Sequence, residues 1–208
     1  IDIGASSKAE AEKYVSLGDC AYFTSDYTEL GNGYLREKAL DDRIGCAIMV
    51  DILNKNLPYD VTCVFTVQEE IGTRGAKVAA YTVKPDYAIV LETTTACDFA
   101  GNDGEKRVCE LGKGCVVSYM DRSTIYDREL YRLGFEKAKE INVPCQTKTL
   151  VAGGNDSGAI HSSVGGIRTV ALSVPCRYLH SPSCMIKKSD VQSTAELAYA
   201  MYLALAEK

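Results

Sequence analysis

The sequence predicts an α/β fold, and three observations carry that prediction. Short runs rich in Val, Ile and Leu recur at residues 61–67 (VTCVFTV), 86–92 (DYAIVLE) and 167–175 (IRTVALSVP). Between them lie stretches whose apolar residues return at helical spacing. Nearly continuous apolar runs, as opposed to strict alternation, belong to strands buried on both faces, so the sheet is expected to be largely parallel with helices on either side.

The elements follow in order. Residues 1–19 (IDIGASSKAEAEKYVSLGD) open in the middle of what reads as strand, turn and amphipathic segment, without an initiator Met or a helix cap, so the chain is expected to be truncated. Residues 18–29 alternate apolar and polar side chains, and Gly31-Asn32-Gly33 supplies a tight turn into Tyr34-Leu35-Arg36-Glu37, predicting a β-hairpin. Residues 44–56 and 75–83 read as helices that alternate with the strands at 61–67 and 86–92. Further strands are expected at 114–119 and 146–150, flanking a helix over 127–141 whose apolar face comprises Leu130, Leu133, Phe135, Ala138 and Ile141. Residues 154–163 read as a short helix, and Ser189 is expected to cap a C-terminal one.

Composition narrows the function. The 208 residues are 46% hydrophobic and 25% charged, enough for a real core. A net charge of −5 leaves no broad basic field for neutralising phosphates, so no nucleic-acid partner is expected. No apolar run approaches the ~20 residues of a membrane-spanning helix, and the opening lacks the basic and apolar regions of a signal peptide; no membrane partner and a cytoplasmic location are expected. The nine cysteines are odd in number and form no C-x-x-C pair, which predicts reduced thiols, mostly buried as small apolar residues.

The chemistry gathers at strand ends, where open α/β sheets bind ligands. Glu69 and Glu70 follow the run at 61–67, Glu92 ends the run at 86–92, His180 follows the run at 167–175, and Asp41 and Asp42 precede a helix. Carboxylates so close raise one another's pKa, and divalent metal is the simplest remedy. Two ions ~3.5–4 Å apart lower the pKa of a shared water towards ~7 and polarise a carbonyl, which suits peptide hydrolysis. A set of His with Asp and Glu, and no Cys, favours Zn, with Co or Mn as equivalents. Without that context Asp41 and Asp42 read as helix caps, and His161 reads as a structural residue near a helix end.

Five motifs then stand in order: Ala39-Leu40-Asp41-Asp42-Arg43-Ile44-Gly45, Gln68-Glu69-Glu70-Ile71-Gly72 with Arg74-Gly75-Ala76, Leu91-Glu92-Thr93-Thr94, Gly153-Gly154-Asn155-Asp156, and Pro175-Cys176-Arg177-Tyr178-Leu179-His180-Ser181-Pro182. With them the chain resembles the tetrahedral aminopeptidases, a cocatalytic metallopeptidase family of glutamyl and deblocking aminopeptidases, some of whose members carry the label endoglucanase. The resemblance implies a three-layer αβα sandwich of the zinc-peptidase type, truncated at its N-terminal half. Residues 1–27 would be the remnant of an inserted β-rich dimerisation domain, and residues 28–208 the C-terminal half of the catalytic domain. It further implies that Asp41 bridges two metal ions, that Glu69 is the general base, that Glu70 and His180 complete one site, and that Glu92 is the terminal carboxylate of the other. The family's remaining ligand is a His in an N-terminal His-x-Asp segment, and nothing before Asp41 supplies one. Asp42 is expected to support or cap, Asp156 to cap or orient a neighbour, and Arg43 and Arg74 to pair with the acidic cluster, with substrate or with solvent. The implied partners are peptide substrates and copies of the same chain, from dimer to dodecamer.

Two other functions stay open at this point. One is glycoside hydrolysis by paired carboxylates, disfavoured because the chain has no Trp for sugar stacking. The other is a structural unit without activity, since one ligand is missing.

Overall fold

The computed structural model describes residues 1–208, the side chain of Glu105 excepted. Residues 1–27 contain one short helix, α1 (Lys8–Ala11), begun by Ser7, whose Oγ accepts the Glu10 N–H. The predicted hairpin follows but is shorter than its sequence pattern: β1 is Thr28–Leu30 and β2 is Tyr34–Glu37, paired antiparallel with Leu30 opposite Tyr34. Residues 20–27 join no ladder, and Tyr22 and Phe23 stand exposed, so their alternation has no sheet face to serve.

The hairpin leads into α2 (Leu40–Leu53), which starts four residues earlier than the periodicity suggests. Next come α3 (Arg74–Val83) and β3 (Tyr87–Thr95). Here β3 outruns its predicted end by three residues, so Glu92 sits inside the strand and not at its tip. Then follow β4 (Cys115–Val117), α4 (Arg128–Glu140), β5 (Cys145–Thr147), α5 (Ser157–His161), β6 (Arg168–Cys176), β7 (Cys184–Lys187) and α6 (Lys188–Ala206).

The main sheet has the order β3-β6-β4-β5. β3 and β6 run parallel over nine residues, from Tyr87 opposite Arg168 to Thr95 opposite Cys176, and β4 is parallel to β5. β4 is antiparallel to β6, the one antiparallel pairing in a sheet that is otherwise parallel, as expected. The cause is the link from β3 to β4. It holds only a single 3-10 turn, Gly104–Arg107, and a parallel neighbour needs a long crossover, usually helical. β7 was not predicted at all; it pairs antiparallel with β2 in a second, three-stranded sheet.

Side-chain alternation along β6 builds the layers. Val170, Leu172, Val174 and Cys176 face the main core, where fully buried Leu130 of α4 and Leu197 and Met201 of α6 meet Ile48 of α2. Each such side chain contributes about 1.5–3 kcal/mol relative to exposure. Ala171 points the other way, with Val90 and Tyr126, against Ile160 of α5. Helices thus lie on both faces, which is the three-layer α/β arrangement.

Helix ends show local chemistry at work. Asp127 accepts the N–H groups of Glu129 and Leu130 and so starts α4, whose Leu130, Gly134 and Ala138 form one buried stripe at four-residue steps. Ser189 does not cap α6. β7 runs straight into the helix with Lys187 in the cap position, leaving Ser189 inside the first turn, where its carbonyl accepts the Ser193 hydroxyl.

The largest correction concerns residues 61–67. They form no strand among the described residues, and Val61, Val64, Phe65 and Val67 are exposed. Their β-forming composition is expressed only when a neighbouring strand offers a ladder, and none adjoins them. All nine cysteines are free thiols; four are buried, so the expectation of mostly buried thiols holds for fewer than half. No helix among the described residues is long and apolar enough to cross a membrane.

Candidate metal centre

Asp41 and Asp42 owe their positions to the start of α2. Ala39 turns through a left-handed conformation, φ 54°, and Leu40 anchors in the core. Asp41 (φ −90°, ψ 107°) and Asp42 (φ −116°, ψ 44°) then depart from helical angles, and the peptide between them is cis. Asp42 Oδ1 accepts the Gly45 N–H at 3.1 Å, the capping role expected of it. Gly45 is required there, because a Cβ would lie 2.3 Å from Asp42 Oδ2.

Glu69 and Glu70 sit on a turn closed by backbone bonds: the N–H groups of Gly72 and Thr73 both donate to the Glu69 carbonyl, and that of Arg74 to Gln68. His180 lies in the β6–β7 loop. Its neighbour Arg177 exchanges two backbone bonds with Met185, 2.9 and 3.0 Å, which pinch the loop at its base. Tyr178 and His180 both adopt φ near 60°, a conformation non-glycine residues hold only where surroundings impose it.

The outcome is a cluster. His180 Nε2 lies 3.1 Å from Asp41 Oδ2 and 3.5 Å from Glu70 Oε2. Two groups of three donors have their ligand atoms within 4.8 Å of one another: Asp41, Glu70 and His180, and Asp41, Asp42 and Glu92. Asp41 belongs to both. All four residues predicted as ligands therefore converge, and Asp42, expected only as a cap or support, joins the second group as well. Glu69 belongs to neither group and stands half-buried beside them. His161 takes no part; its Nδ1 lies 2.8 Å from the Ser157 carbonyl of its own helix.

Burial and mutual repulsion of the carboxylates dominate the electrostatics of the cluster. Burial, then the charges of Asp42 and Asp41, push the Glu92 carboxyl far above the usual range. Burial also raises Asp42; the Gly45 N–H pulls it back, and the charges of Asp41 and Glu69 add to the rise. Glu69 is raised to about 7 by burial and by the neighbouring Glu70, Asp156 and Asp41. Asp156 is 5% exposed; its Oδ2 accepts the Thr66 hydroxyl at 2.6 Å while Oδ1 is buried with no partner. A donor set of carboxylate oxygens and one imidazole, without thiolate, fits a hard or borderline divalent cation.

Sequence reasoning missed one element of the site. Asp98, 79 residues from Arg177 and only 6% exposed at its side chain, holds that guanidinium through both oxygens beside the His180 loop. No local pattern signals a contact between residues so far apart.

Fold and cluster together define an α/β chain whose sheet carries an acidic, histidine-bearing rim. A family model described as M42 glutamyl aminopeptidase matches residues 1–197, and the chain belongs to that family. A curated relative from Acetivibrio thermocellus is 42% identical over 199 residues, covering 95% of this chain and 59% of the relative. The solved aminopeptidase APDkam598 of the archaeon Desulfurococcus kamchatkensis superposes with a TM-score of 0.90 at 33% identity, over 96% of this chain and 57% of that one. The TET1 peptidase of Pyrococcus horikoshii, described as assembling into a tetrahedron or a large octahedral shell, superposes with a TM-score of 0.81 at 32% identity, over 99% of this chain and 59% of its own. The chain thus spans about three fifths of the length of these relatives. Its family is one of peptidases.

Proposed function

We propose that the chain carries most of the metal centre of a two-metal aminopeptidase that releases N-terminal residues from peptides. The observation that supports this reading is the membership of Asp41 in both donor groups, the position a bridging carboxylate must occupy. Glu70 and His180 would hold one divalent ion, and Glu92 the other with Asp42 beside it; Zn, Co or Mn suits the donors. Such ions, when bound, supply compensating charge to the carboxylates and polarise water and the scissile carbonyl.

The chain's own residues do the proton work. Glu69, raised to about 7, is ionised in part at neutral pH and sits beside the centre without being one of its donors. It takes a proton from the attacking water and returns it to the leaving amine, a role suited to a pKa near working pH. Asp41 holds the exposed His180 imidazole against the cluster through its 3.1 Å contact. Residues 1–27 belong, in this reading, to a dimerisation domain of a homo-oligomer, and residues 28–208 to the catalytic domain.

Metal titration tests the proposal directly. Zn2+, Co2+ or Mn2+ should bind the chain, and Asp41→Ala should remove binding to both donor groups at once. Absence of binding, binding indifferent to Asp41→Ala, or aminoacyl-anilide hydrolysis undiminished by exhaustive chelation would each overturn it.

A further inference from the structure

Cys176 ends β6 and Cys184 begins β7, so these two thiols flank the loop that carries His180. Both are buried in the main core, at 0% and 1% exposure. Their sulfurs stand within hydrogen-bonding reach of each other, and the peptidase chemistry proposed above uses neither. The Cys176 thiol also donates to the Arg177 carbonyl at 3.3 Å, and that of Cys184 to the Ser181 carbonyl at 3.4 Å. Loop residues thus form the cover over Cys184, and two of them, Tyr178 and His180, are exposed.

The pairing at the loop base sets how far apart the two cysteines stand. Arg177 lies opposite Met185 and exchanges two backbone bonds with it, and each cysteine immediately precedes one member of that pair. In antiparallel chains this makes them diagonal neighbours, whose Cα atoms are about 7–8 Å apart. A disulfide holds Cα atoms at about 5.5–6 Å. Closing the bond therefore draws the two arms together by roughly 1–2 Å. The arms are not equally held. Cys176 ends a nine-residue parallel pairing with β3, and its carbonyl accepts the Ala96 N–H at 2.8 Å. Cys184 belongs to a four-residue strand and stands opposite Glu37 of β2, four residues before Asp41. β7 is the arm that yields, and it moves the loop on one side and β2 on the other.

We propose that Cys176 and Cys184 are a reversible redox pair whose disulfide withdraws His180 from Asp41 and Glu70 and lowers the affinity of the centre for divalent metal. The effect on metal rests on the metal-centre reading given above; the disulfide itself does not. A peroxide supplies the oxidising equivalents. Cys184 Sγ attacks one peroxide oxygen, the O–O bond breaks, and the departing hydroxide leaves with the thiol proton as water, forming a sulfenic acid. The Cys176 sulfur then attacks Cys184 Sγ. An S–S bond forms, the S–O bond breaks, and the hydroxide takes the Cys176 proton as a second water. A small dithiol reverses the reaction by thiol–disulfide exchange. Metal–ligand distances tolerate only about 0.2 Å, so a shift of the size required at the loop base takes His180 out of a ligand set.

Treatment of the 208-residue chain with hydrogen peroxide, then N-ethylmaleimide and trypsin, tests the pairing by mass spectrometry. Trypsin cleaves after Arg168, Arg177 and Lys187, so the disulfide appears as residues 169–177 joined to residues 178–187. That joined pair should form, and dithiothreitol should remove it. Peroxide should weaken Zn2+ binding roughly tenfold or more, reversibly, and Cys184→Ala should keep its Zn2+ affinity through the same treatment. The chain holds two histidines, which gives a readout without metal: on oxidation the imidazole proton resonances of His180 should shift and those of His161 should not. Oxidation of exposed Cys20 without the joined pair overturns the proposal. So does a disulfide that leaves the His180 resonances and Zn2+ affinity unchanged, or a peroxide effect that persists in Cys184→Ala. A reduced chain that binds no Zn2+ counts against the metal centre instead, and the joined peptides and the His180 resonances then decide the redox pair alone.

Discussion

Arg177 grips Asp98 through both carboxylate oxygens, Nε to Oδ1 at 2.5 Å and Nη2 to Oδ2 at 2.9 Å, while the Leu111 N–H donates to the same carboxylate. Burial pushes the Asp98 carboxyl up, but the guanidinium and the N–H outweigh it and hold it below its usual range. The pair ties residues 96–114 to the base of the loop that carries His180.

Removing one partner of this part-buried pair leaves the other without its partner, at a cost of about 1–3 kcal/mol. Asp98→Ala is therefore expected to lower urea stability by that amount and to weaken Zn2+ binding by loosening the His180 loop. Zn2+ affinity equal to the parent's in a variant that still folds would show that the loop is positioned without the clamp.

Gly75→Ala sets two effects against each other. Helix propensity alone favours Ala by about 1 kcal/mol in a helix interior. Yet a Cβ at Gly75 would lie 2.5 Å from Val67 O and 2.6 Å from Val67 N, backbone atoms that cannot step aside singly. The expected net result is a loss of about 1–3 kcal/mol, read by thermal melting, with displacement of the turn bearing Glu69 and Glu70.

The pH dependence of the metal-free chain draws on Glu69, and Asp42 and Glu92, also raised by burial, act in the same direction. The folded value of Glu69, about 7, is above the unfolded 4.5, so the folded form holds the proton more tightly. Its contribution to stability is full below pH 4.5 and is lost as pH rises through about 7. Melting temperature should fall across that window, and saturating Zn2+ should flatten the decline. A metal-free chain whose melting temperature rises from pH 4.5 to 7 would contradict this.

Glu69→Gln should cut peptide hydrolysis by about 10²–10⁴-fold in the assembled enzyme while leaving Zn2+ binding intact. Loss of metal together with activity would place Glu69 among the ligands instead.

Asp190, 1% exposed, accepts the N–H groups of Gly112 and Gly114 at 2.6 and 2.9 Å. Asp190→Ala orphans both donors, at about 1–3 kcal/mol each, and chemical denaturation should show it. Asp190→Asn keeps one acceptor oxygen and should recover part of the loss.

The helices and the long strands were legible because their signals are local. Asp127 before α4 and the stripe of Leu130 and Ala138 need no knowledge of the rest of the chain. Asp41, Glu70, Glu92 and His180 were legible because each lies within a distinctive motif. What escaped was relational. The strand character of residues 61–67 depends on a neighbour, the direction of β4 on a connection without a crossover helix, and β7 on the hairpin it joins. Asp42 was legible as the cap it is, its Oδ1 accepting the Gly45 N–H, whereas its approach to Asp41 and Glu92 is a relation the sequence does not carry.

The donors reach the centre from four separate segments, and His180 is the last of them to be synthesised. Its position depends on β6 being paired and on β7 pinching its loop. A cation bound as proposed above would tie these four segments together and add its binding free energy to that of folding.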